Sequence, residues 1–186
     1  MTSSGFRKLF WGFLFILIDI PIMKIDILPD TIGYIFFLLG FKALAKNSSF
    51  FIKGKNVSII MTILSILIMY QQIMNSNKFS LIHFELLEKL TIPISCIALI
   101  LEIYMIYNLF MGIKEMCEQK ENSQLYEETE DIWVKYIYLT IGFACSIFVI
   151  LIPEVGIIFL VALAIASIIL FFKIMKLMKR CEYELV

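Results

Sequence analysis

Residues Val155–Phe172 read VGIIFLVALAIASIILFF, 18 consecutive positions without a charged side chain. At 1.5 Å rise per residue such a helix is about 27 Å long, close to the roughly 30 Å hydrocarbon core of a bilayer. A helix on a soluble domain keeps one polar face, and this stretch has none. The same texture recurs along the chain. Apolar runs cover about 9–23, 31–45, 57–74, 90–113, 132–152 and 155–172. They are continuous rather than alternating, which argues against strands of a membrane β-barrel. Of the 186 residues 61% are hydrophobic, and the mean hydropathy is +0.91. Soluble domains run about 45–50% apolar. The expected fold is therefore all-α: a polytopic transmembrane helical bundle of six spans in a single integral membrane domain, 1–186.

The basic residues orient it. With the N-terminus inside, thirteen of the sixteen Lys and Arg fall on the cytoplasmic side. Only Lys24, Lys78 and Lys89 fall outside. This is the positive-inside bias of a plasma-membrane protein with both termini in the cytoplasm. Asp19, Asp26, Asp30, Glu85, Glu88 and Glu154 collect at or near the outer face. Arg7-Lys8 before an apolar run resembles a signal peptide, but no small-residue cleavage site follows. It is read as an uncleaved first span. The first two runs are short, so the first pair reads either as two full spans or as a re-entrant hairpin.

Pro29, Pro93 and Pro153 stand near the three outer turns at spacings of 64 and 60 residues. Three tandem helical hairpins would explain the spacing. Proline's ordinary preference for a helix's first turn explains it as well.

Glu102 is the carboxylate placed deepest in an apolar run, and ionisable residues at that depth are functional candidates by default. Its side of the helix carries Ser95, Ala98, Leu99, Met105 and Ile106. Thr62, Ser65, Thr140 and Ser146 are its candidate hydroxyl partners. The reading is either an ion or proton site or a protonated Glu bonded between helices. Asp19, Asp26, Asp30 and Glu154 are further ion- or proton-binding candidates at the outer face. The structural alternative makes Asp30 the N-cap of the second helix and pairs Asp19 with Lys24. Gly33 and Gly40, seven apart, would let that helix pack closely on another. Tyr70, Gln71, Tyr104, Tyr107 and Asn108 form a polar edge on spans three and four that reads as interhelical glue.

Other chemistry is excluded by absence. There is no Walker loop, GxSxG, HExxH or dinucleotide fingerprint, so no catalytic residue, cofactor or metal site is expected. His83 with Glu85 and Glu88 has no specific ligand spacing. Cys96, Cys117, Cys145 and Cys181 form no CxxC pair and suggest no disulfide framework. The stretch 114–131 reads as a polar, acidic cytoplasmic loop, either throughout or with helical extensions of spans four and five. The tail KIMKLMKR (173–180) reads as a basic anchor on anionic lipid. Nucleic-acid binding is not indicated.

The segment Phe6–Leu44 carries a resemblance. Its centre, Asp26-Ile27-Leu28-Pro29-Asp30-Thr31-Ile32-Gly33-Tyr34, resembles a motif at the start of uncharacterised small multi-pass membrane proteins of low-GC Gram-positive bacteria. The resemblance covers about a fifth of the chain and implies a bacterial plasma membrane, without implying an activity. The size and span number are also similar to the substrate-binding membrane subunits of energy-coupling-factor vitamin transporters. Those carry Ala-x-x-x-Ala in the first span, whereas here the pattern is Ala162-x-x-x-Ala166, in the sixth.

Two functional expectations follow. The first is a non-enzymatic accessory or regulatory partner in a membrane complex, with the bilayer and either a membrane-protein partner or a second copy as its contacts. The other is a small-solute or ion transporter component built around Glu102.

Overall fold

The computed structural model describes residues 3–17, 28–76, 85–149 and 153–185. They form six α-helices: α1 (Ser3–Leu17), α2 (Leu28–Leu44), α3 (Ser49–Ser76), α4 (Glu85–Gln119), α5 (Ser123–Val149) and α6 (Pro153–Glu184). No strand occurs among the described residues, so the fold is all-α as expected.

Three of these helices contain stretches long and apolar enough to cross a membrane: Ser49–Met69, Pro93–Gln119 and Gly156–Glu184. This is a membrane protein. Among the described residues, α1, α2 and α5 present no such stretch.

The chain groups into two compact units, Met1–Gly112 and Ile113–Val186. In the first, α1 packs antiparallel on α2, and α2 on α3. Glycines set the α1–α2 spacing. A Cβ built on Gly40 would stand 3.1 Å from the carbonyl oxygen of Gly5, and one on Gly12 equally close to that of Gly33. The two contacts are seven residues apart on each helix, so one small-residue seam runs between the backbones. A ladder of rings fills the adjoining core. Phe13 meets Phe37 edge-on at 4.8 Å, and the contacts continue through Phe41 to Phe51 of α3. Phe41 lies over Gly54 and Phe51 over Gly112, so glycines also receive the aromatic faces.

The expected three hairpins are present in part. α1 with α2 and α5 with α6 pack as antiparallel neighbours, whereas α3's close backbone packing is with α2. α3 and α4 meet through side chains, at Phe50–Tyr107, Phe51–Gly112 and Ser58–Met105. Pro29 and Pro153 stand in the first turns of α2 and α6, but Pro93 lies inside α4. The middle proline therefore marks no helix start, unlike Pro29 and Pro153.

In the second unit the expected polar loop 114–131 is helix for most of its length. α4 runs to Gln119 and α5 begins at Ser123. The turn between them is closed by two backbone bonds, Asn122 N–H to Cys117 O (3.0 Å) and Glu121 N–H to Glu118 O (3.2 Å). This is a Schellman ending, with Glu121 in the left-handed region at φ 54°. Asn122 then caps α5, its Oδ1 accepting from Leu125 N–H at 3.0 Å. The tail packs one of its faces inside the unit. Ile174, Met175, Leu177, Met178 and Cys181 are buried, because every third or fourth residue turns one apolar face inward. Lys176 and Lys179 remain on the exposed side.

Candidate functional site

The first unit holds two of the five candidate carboxylates. Asp30, in the first turn of α2, and Glu102, on α4, are within electrostatic reach of each other. No Lys or Arg among the described residues acts on Glu102. Glu102 lies inside the Pro93–Gln119 apolar stretch, where an unpaired charge is costly.

α2 begins at Leu28, two residues before the expected cap, because Pro29 fits the first helical turn. Asp30 is therefore inside the first turn, where its charge suits the helix dipole, and is not the N-cap. Beside it, the hydroxyls of Thr31 and Ser65 are 3.0 Å apart. Ser65 already gives its proton to Thr62 O at 2.9 Å, so Thr31 is the donor. This bond fixes the start of α2 against the middle of α3.

The candidate hydroxyl partners of Glu102 are occupied by their own helices. Thr62 donates to Ser58 O (2.7 Å), Thr140 to Tyr136 O (2.9 Å) and Ser146 to Phe143 O (2.7 Å). Such back-bonding to a carbonyl one turn earlier satisfies a hydroxyl where water is scarce. Of the residues expected on the side of Glu102, Met105 and Ile106 are buried and Leu99 is exposed.

The polar edge also resolves. Asn108 is fully buried and donates to Tyr104 O at 2.6 Å, while its Oδ1 meets no donor among the described residues. Tyr104 and Tyr107 stack on each other at an exposed face, and Tyr107 also touches Phe50 of α3. The other candidates are not assembled with this pair. Asp19 and Asp26 lie outside the described residues. Glu154 is the second residue of α6, in the other unit, and its side chain is outside the described set.

No protein-family model, curated protein or solved structure matches the chain.

What remains is the site's own chemistry. Two carboxylates near one another in a low-dielectric setting repel, and a proton or a cation between them relieves the repulsion. No group of three or more His, Cys, Asp or Glu able to hold a metal ion occurs among the described residues. Sequence reasoning missed one feature, a pair of lysines from α5 and α6 at the mouth of an apolar groove. It counted Lys135 and Lys173 only toward orientation. Their positions at the matching ends of two successive apolar runs, 132–152 and 155–172, were the available signal.

Proposed function

We propose that this is a multi-pass protein of a bacterial plasma membrane, with six spans and cytoplasmic termini. It serves as a non-enzymatic partner in a membrane complex. The observation that carries this reading is the open surface of α6. Only 17% of its most apolar stretch is buried. Ile157, Ile158, Val161, Ile165, Ile168 and Phe172 are exposed. Ala162 is exposed as well, and small residues on a transmembrane helix permit close approach of another helix. Crosslinking in native membranes followed by mild extraction tests the reading. A stable heterologous partner, lost when Ala162 is enlarged to Leu, is expected; crosslinks to copies of this chain alone would sink it. For the topology, an impermeant label is expected to reach the Lys24–Asp30 segment from outside, and no labelling there would count against full first and second spans.

The juxtaposition of Asp30 and Glu102 favours a second reading, a small-solute or ion transporter component. In it the pair carries one proton or cation. Glu102→Gln then abolishes pH-dependent uptake while the protein still accumulates. Unchanged uptake in that variant would remove the reading.

A further inference from the structure

Between α5 and α6 a hollow of about 410 Å³ opens, walled by Tyr138, Leu163, Ala166 and Ile169, with Lys135 and Lys173 at one end. The volume lies in the range of ligand pockets, about 300–1,000 Å³. Both lysines line this one hollow and lie close enough to influence each other. Asp131, four residues before Lys135, pairs with it and also feels Lys173. Two cations share one carboxylate, which leaves one positive charge in excess at the end of an apolar trough. Further along the hairpin Arg180 lies between two carboxylates, Glu128 and Glu184, and leaves no cation in excess. Tyr138, 70% exposed, stands where aromatic side chains gather at a membrane surface.

We propose that this groove is a binding site for one anionic phospholipid, its phosphate held between Lys135 and Lys173 and one acyl chain lying along Leu163, Ala166 and Ile169. Charge complementarity selects the occupant. A neutral lipid or a plain apolar helix would fill the trough but leave the excess cation unanswered. Basic pockets between transmembrane helices on the cytoplasmic side are a recurrent way of holding acidic headgroups. Ala166 is the small residue that leaves the trough open. The proposal rests on the membrane location and is independent of whether the chain has a protein partner.

The test uses the full chain reconstituted in vesicles of phosphatidylcholine with phosphatidylglycerol, extracted gently and weighed by native mass spectrometry. One retained phosphatidylglycerol per protein is expected. Lys135→Gln and Lys173→Gln should each lower its retention about fivefold, the effect of one basic residue at a membrane surface. Lys176→Gln, on the same helix but outside the groove, should lower it less. Ala166→Phe should expel the lipid with every charge in place. Asp131→Asn should raise retention, a gain that misfolding cannot mimic. Equal losses in Lys173→Gln and Lys176→Gln, undiminished lipid in Ala166→Phe, or a lipid-free dimer would each overturn the proposal. Release of the wild-type chain from membranes by alkaline carbonate would instead overturn the membrane location beneath it.

Discussion

Gly12 of α1 and Gly33 of α2 face each other so closely that a Cβ built on either would stand 3.1 Å from the other's carbonyl oxygen. The contact is reciprocal, backbone against backbone, and Ile16 closes over Gly33 from the side, 2.6 Å from that same built Cβ. Gly33→Ala must therefore push the helices apart or displace Ile16. Alanine gains about 1 kcal/mol of intrinsic helix propensity over glycine, while overpacking a tight contact costs about 1–3 kcal/mol. The expected net outcome is a loss of stability, measured by reversible unfolding in mixed micelles. A variant as stable as the wild type would show that the close approach contributes nothing.

The turn between α4 and α5 gives a result of opposite sign. Glu121 occupies the left-handed position at φ 54°, where a side chain costs about 1–2 kcal/mol that glycine avoids. It is exposed. Glu121→Gly should raise stability by about 1 kcal/mol in the same unfolding measurement. Glu121→Val should lower it, since a β-branched residue tolerates positive φ least.

These contacts also mark how far the sequence could be read. Helicity was legible everywhere, because continuous apolar runs in lipid leave the backbone few alternatives. Gly33 and Gly40 were legible as a packing face, since both fall on one side of α2. Their partners Gly5 and Gly12 were not, because pairing across two helices depends on a register that periodicity within one helix cannot fix. In the polar stretch 114–131 the buried side was the part that could not be read. The acidic residues are solvated on the outer face of helices whose other side buries Met116, Cys117, Leu125 and Ile132. Glu102 was legible as an anomaly, but its proximity to Asp30 came from the packing of α2, α3 and α4 and left no trace in either local sequence.

Asn122 performs two jobs that substitution can separate. Its Oδ1 caps α5 through Leu125 N–H, and its Nδ2 donates to Glu184 at 2.9 Å. Asn122→Ala removes both and should cost about 0.5–2 kcal/mol from the cap alone. Asn122→Asp keeps the cap but sets a carboxylate against Glu184. Its loss should be confined to fraying of the α6 C-terminus, read as faster amide exchange over residues 180–184. Equal exchange in α5 and α6 would contradict this division.

The Asp131–Lys135 pair sets an acid limb on stability. The hydrogen bond from Lys135 holds the Asp131 carboxyl below its ordinary value. A depressed carboxyl favours the folded state above its unfolded pKa, and that contribution is lost as pH falls through the folded value. The carboxylate is solvent-exposed, so the effect is small and screened by salt. Melting followed from pH 7 to pH 3 should fall less steeply in Asp131→Asn than in the wild type, and the difference should shrink at high ionic strength. An identical slope would remove the pair from the account.

Asp30 and Glu102 can be separated from every other charge by a double-mutant cycle. If the two carboxylates repel, Glu102→Gln or Asp30→Asn alone should raise stability at a pH where carboxyls are ionised. The double variant should then gain less than the sum. Coupling between neighbours of this kind runs about 0.5–3 kcal/mol. At acidic pH, with the carboxyls protonated, the coupling should vanish. The sign decides between the readings of the site. A loss of stability in Glu102→Gln would mean that the carboxylate is a held acceptor, bonded to a donor or to a bound cation. A gain would mean that its charge is kept at a cost to the fold, which is the behaviour of an intramembrane group retained for what it carries.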